Sequence, residues 1–166
     1  GFFSETWNRR AFAEATGVTD DFVQDNHSLS GETGVVRGLH FQSPPHAQGK
    51  LVRVSRGSVV DVAVDIRVGS PTFGRHVART LSAENWQQLW VPAGFAHGFC
   101  TLEPGSEVLY KVSDFYAPEA EQGLLWNDPE LGIDWPAEAG KVLSERDRGW
   151  PPLRDLSRVF QYEKGA

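Results

Sequence analysis

Five polar side chains stand in stretches that are otherwise apolar. Arg37 and His40 lie in Arg37-Gly38-Leu39-His40-Phe41-Gln42, Lys50 precedes Leu51, His97 sits between Phe95 and Phe99, and Tyr110 follows Leu109. An imidazole exchanges protons near neutrality, a phenol can donate or accept a hydrogen bond, and Lys or Arg supplies charge to an anion. Gathered around one cavity, these five would make a binding or proton-transfer site. Taken singly, each has a plainer explanation. A His in a strand is often just hydrogen-bonded, an isolated Lys or Arg often lies on a solvated face, and a Tyr often packs with its hydroxyl in water. His27, His46 and His76 have no setting that suggests a pocket. A metal site in a β-barrel usually offers two nearby His and a following carboxylate, and this chain has no such triplet. Cys100, beside Phe99 and near Leu102, reads as a buried, inert thiol. There is no Gly-rich phosphate loop, so a phosphate would have to be met by side-chain cations.

The elements that must position these residues are mostly strands. Asn8 caps an expected helix from Arg9 to Thr16, and Gly17 stops it. From Gly34 onward, short β-branched runs alternate with Gly and Pro. Val52 and Val54, the turn Arg56-Gly57-Ser58, and then Val60, Val62, Val64 and Ile66 read as a hairpin. The other face of its return strand carries Asp61, Ala63, Asp65 and Arg67, so it should meet solvent, an interface or a polar cavity. Further strands are expected at His76–Leu81, Gln88–Val91, Gly98–Leu102, Glu107–Val112 and Gly123–Asn127, with a short helix near Asp155 to Phe160. A jelly roll or a related sandwich or barrel accommodates so many short strands.

The 166 residues fit one domain, 1–166, and the 40% hydrophobic content with 6 Trp and 10 Phe argues against disorder. A net charge of -6 disfavours nucleic acid, and no apolar run suits a membrane span. One Cys and no recognisable secretion signal point to the cytoplasm. The absence of Met suggests a segment upstream of Gly1.

The same stretches, in the same order, closely resemble the dTDP-4-dehydrorhamnose 3,5-epimerase family. The words that match include Gly1-Phe2-Phe3 with Glu5, Gln24-Asp25-Asn26-His27-Ser28, Arg37 to Gln42, Gln48-Gly49-Lys50, Pro92 to Phe99, Leu109-Tyr110-Lys111 and Trp126-Asn127-Asp128-Pro129. The resemblance implies an all-β, cupin-like jelly roll with short peripheral helices, a homodimer, and no metal or redox cofactor. It implies epimerisation at C3, C5 or both of a dTDP-4-keto-6-deoxy sugar. His40 matches the base, Asp147 the carboxylate that orients it, Tyr110 the acid on the opposite ring face, and Lys50 the cation near the enolate oxygen. Substrate contacts map onto Glu5, Gln24, Asp25, Asn26, Arg37, His97, Tyr116, Glu121 and Arg146. A further family Arg falls just upstream of Gly1.

Two departures bear on specificity. Arg146 takes a position commonly held by Lys, and Phe115-Tyr116 stands where rhamnose-pathway members usually have two tyrosines. A C3-only or C5-only epimerase of antibiotic-sugar biosynthesis is therefore the near alternative. The alternatives from other classes are a noncatalytic sugar-nucleotide-binding jelly roll and a metal-dependent cupin oxygenase or isomerase.

Overall fold

The computed structural model describes residues 1–164; the last two positions of the expected 1–166 domain lie outside the described residues. The strands are β1 (Gln24–Ser30), β2 (Val36–Gln42), β3 (Lys50–Arg56), β4 (Ser58–Asp65), β5 (His76–Ser82), β6 (Gln88–Val91), β7 (Phe95–Thr101), β8 (Ser106–Val112) and β9 (Glu121–Gly123). Helix α1 spans Arg9–Thr16 and the single turn α2 spans Glu145–Arg148. One antiparallel sheet has the order β1-β8-β3-β6 and the other β5-β4-β7-β2-β9. This is the cupin-like jelly roll, with helices only at its periphery. No helix among the described residues is long and apolar enough to cross a membrane.

Local signals set α1. The Asn8 side chain accepts from the amides of Arg10 and Ala11, and Gly17 closes the helix at φ 74°. The hairpin expected across Gly57 does not form. β3 pairs with β6 and β8, whereas β4 pairs with β5 and β7, so the chain crosses from one sheet to the other at Gly57. Burial drives this crossing: Val52 and Val54 pack face to face with Val59 across the interior, with Val108, Leu81 and Phe99 in the same cluster. Each such fully buried aliphatic side chain contributes roughly 1.5–3 kcal/mol, more than a two-stranded ribbon open to water would recover.

The opposite face of the five-stranded sheet is covered too. Val62, Val64, Leu39 and Phe41 pack under Leu124, Leu131, Leu156 and Phe160 of the C-terminal chain. That covering explains why the helix expected at Asp155 to Phe160 is replaced by a short 3-10 turn, Leu153–Asp155, followed by extended chain. The amide of Val68 donates to Phe160 O and that of Tyr162 to Val68 O, which holds the segment flat against the sheet edge. The strand expected at Gly123–Asn127 is instead Glu121–Gly123, because the Leu125 amide turns away to Pro151 O.

β1 was not signalled by apolar alternation. Its inward residues are Gln24, Asn26, Ser28 and Ser30, so the face that turns inward is polar. α1 lies against the outer face of the four-stranded sheet through Phe12, which with Phe22 and Trp90 forms an aromatic cluster that Trp7 joins, Trp90 meeting both Phe rings edge to face.

Candidate active site

The cavity lies between the sheets, with a volume of about 550 Å³. β2 and β7 supply one wall. A regular strand would send Arg37 and His40, three residues apart, to opposite faces. Here Arg37 pairs with Phe99 and His40 with His97, so three steps on β2 match two on β7. The resulting bulge turns Arg37 and His40 toward the same space. Glycine makes the close approach possible: a Cβ on Gly98 would lie 2.5 Å from Arg37 O, and one on Gly38, at φ 111°, would lie 2.6 Å from His97 O.

α2 brings a carboxylate behind His40. The Ser144 hydroxyl accepts from the Asp147 amide and starts the turn. Asp147 Oδ1 accepts from His40 Nε2 at 2.5 Å and from Trp150 Nε1 at 3.1 Å, while Oδ2 accepts from the Gly38 amide at 3.3 Å. Burial alone would raise the Asp147 pKa, but the hydrogen bond and charge of His40, helped by Trp150 and Gly38, hold it below the usual value. An ionised Asp147 fixes the tautomer: Nε2 carries the proton, and Nδ1 has no hydrogen-bond partner among the described residues.

The other wall belongs to the four-stranded sheet. Tyr110 on β8 faces His40 across the cavity, and burial pushes its phenol pKa up, with Arg37 acting against that and Glu121 adding to it. The phenol therefore keeps its proton at neutral pH. Lys50 on β3 is 7% exposed and reaches across to the other sheet, its Nζ donating to His40 O at 3.3 Å. Loss of hydration lowers its pKa to about 8, against the upward pull of Asp61 and Glu121. His97 Nε2 lies 2.6 Å from Asp61 Oδ1, both residues buried.

Tyr116, Glu121 and Arg146 form the rim. Glu121 Oε2 accepts from Tyr116 Oη at 2.9 Å and from Arg146 at 2.6 Å. Gln24 and Asn26 border an adjoining recess of about 190 Å³ that also touches His40, Lys50 and Tyr110.

A family model described as dTDP-4-dehydrorhamnose 3,5-epimerase matches residues 1–155. The chain belongs to that epimerase family. Among its relatives, the dTDP-4-dehydrorhamnose 3,5-epimerase of Pseudomonas aeruginosa is 60% identical over 148 residues, covering 89% of this chain and 81% of the relative. The crystal structure of dTDP-6-deoxy-D-glucose-3,5-epimerase from Legionella pneumophila, in complex with dTDP-4-keto-L-rhamnose, superposes with a TM-score of 0.92 at 47% identity, over 99% of this chain and 87% of that one. A 3'-monoepimerase from Streptomyces bikiniensis, in complex with dTDP-quinovose, gives a TM-score of 0.86 at 34% identity, over 95% of this chain and 81% of that one.

In this family member, two of the substrate contacts implied by resemblance stand away from the cavity. Asp25 alternates with Gln24 and Asn26 along β1, so its side chain emerges on the outer face, where it accepts from Lys111 at 2.9 Å. Glu5 lies in the N-terminal arm and lines an outer cleft with Phe2, Arg53 and Trp86. Conversely, Trp150, Ser144 and Gly38 support the His40–Asp147 pair without having been singled out in the sequence. Trp150 offered one signal, its position three residues after Asp147.

Proposed function

We propose that this protein epimerises dTDP-4-keto-6-deoxy-D-glucose at C3, C5 or both, acting as a single domain without a metal or redox cofactor. The observation that carries this reading is that an imidazole and a phenol face one cavity from opposite sheets, with a buried ammonium beside them. Inversion needs that layout. A proton taken from one face of a sugar ring must be replaced from the other, because a base that returns its own proton regenerates the substrate. His40 Nδ1 takes the proton next to the ketone, and Asp147 stabilises the imidazolium that results. The electron pair of the broken C–H bond moves into the enolate, whose oxygen is met by Lys50. Tyr110 then delivers its proton to the carbon from the opposite side. Arg37 and Arg146 at the rim suit a diphosphate, Tyr116 a base stacked across the opening, and Gln24 and Asn26 its polar edge.

Incubation with dTDP-4-keto-6-deoxy-D-glucose in D2O should place deuterium at C3, C5 or both, read by proton NMR; no exchange at either carbon would defeat the epimerase reading. The label pattern also separates double from single inversion. Phe115 is the residue that favours weighing a single inversion: it is 63% exposed beside Tyr116 and has no hydroxyl to offer the cavity mouth.

Lys50 sets a pH limit. Its ammonium is intact below about 8 and is lost as pH rises through that value. Enolate stabilisation is lost with it, so kcat/KM should fall on the alkaline side with an apparent pKa near 8. In Lys50→Arg that limb should move out of the measurable range, because guanidinium does not titrate there. A limb unchanged in Lys50→Arg would assign it to another group.

The assembly we propose is a homodimer in the cytoplasm. Phe2, Phe3 and Trp86 are 82%, 100% and 51% exposed around the outer face of the four-stranded sheet, an apolar surface suited to a second copy. Glu5, distant from the cavity of its own chain, would there be available to the partner's.

A further inference from the structure

His97, which lines the cavity, belongs to a second imidazole–carboxylate pair that the mechanism above does not use. His97 lies directly opposite His40 in the β2–β7 register, and its Nε2 is bound by Asp61 of β4 just as His40 is bound by Asp147. Asp61 is 0% exposed, and its second oxygen, Oδ2, is buried and accepts no hydrogen bond among the described residues. A buried carboxylate left half-satisfied in this way is costly unless a positive charge faces it. The other acids of the cavity are already engaged: Asp147 by His40, Trp150 and the Gly38 amide, and Glu121 by Arg146 and Tyr116. Among the cations, Arg146 is held by Glu121, and Arg37 turns toward Ser30 and Leu29 O. Lys50 has only the neutral carbonyl of His40 as a hydrogen-bond partner, and Tyr110, the other titratable group that its sheet turns into this cavity, is an uncharged phenol.

We infer that Asp61 is a positioning residue of this site: its buried carboxylate is the counter-charge for the Lys50 ammonium, and it also holds His97 with Nδ1 toward the cavity. This deepens the epimerase reading and rests on it for its consequence in catalysis. The sequence placed Asp61 on the polar face of a strand, and the fold turns that face inward. Removing the carboxylate leaves a buried ammonium with less to offset its lost hydration. Lys50 then gives up its proton at lower pH, and the enolate oxygen loses its cation under conditions where the native protein still has it.

The test is Asp61→Asn, which keeps the shape and removes the charge. The titration midpoint of the Lys50 amine, followed by NMR of isotope-labelled lysine, should fall by roughly one to three pH units, as expected when an opposite charge nearby is lost. The alkaline limb of deuterium exchange should fall with it. His97→Gln retains Asp61, so its Lys50 midpoint should stay near that of the native protein, about 8. A midpoint unmoved in Asp61→Asn would overturn the inference even if turnover dropped, since that would leave Asp61 only a packing role. If the single variant fails to fold, Asp61→Asn with His97→Gln supplies an amide pair in place of the ion pair, and the same shift is read. The Lys50 titration needs no turnover, so native protein that exchanges no deuterium would defeat the epimerase reading and leave this inference separately decided.

Discussion

His40→Asn should lower deuterium exchange at the sugar carbons by about 10²- to 10⁴-fold, the usual contribution of a positioned base. That factor corresponds to roughly 3–5 kcal/mol of transition-state stabilisation. The substitution is chosen because an Asn amide can still donate toward Asp147, so the buried carboxylate keeps a partner and the α2 turn its anchor. What disappears is the basic nitrogen. Binding of the substrate or of dTDP, measured by calorimetry, should change little, since Arg37, Arg146 and Tyr116 are untouched. Exchange at the native rate in His40→Asn would remove His40 from the mechanism. Weakened binding together with a lower melting temperature would instead mark it as a structural residue.

Tyr110→Phe should separate two events that native protein couples. His40 remains able to remove a proton and to return one drawn from solvent, so deuterium should still enter the sugar. Inversion should fall by about 10²- to 10⁴-fold, because the group that protonates the far face is gone. The signature is labelled sugar with its original configuration, distinguished by proton coupling constants. Loss of exchange and inversion in equal measure would mean that Tyr110 serves the first proton transfer as well, and unchanged inversion would mean that another group supplies the proton. The geometry favours separation: Tyr110 comes from the four-stranded sheet and His40 from the five-stranded one.

The ordered words from Gly1-Phe2-Phe3 to Trp126-Asn127-Asp128-Pro129 were enough, read along the chain, to point to an epimerase fold and to most of the residues around the cavity. Local features were legible for a physical reason: a cap or a turn depends on neighbours a few residues away. Asn8 and Gly17 bound α1 in this way, and the Gln88–Val91 strand was also readable. β1 was hidden because a strand lining a polar cavity shows no apolar alternation. The placement of β3 and β4 in different sheets, the bulge that puts Arg37 and His40 on one face, and the outward turn of Asp25 arise from pairings between distant segments. Residue types along the chain determined which groups are available for proton transfer. Tertiary structure alone decided which of them meet, because facing across a cavity is a relation between two sheets, and Asp61, read from sequence as one polar residue in an alternating strand, became a buried carboxylate only when the two sheets closed over that face of β4.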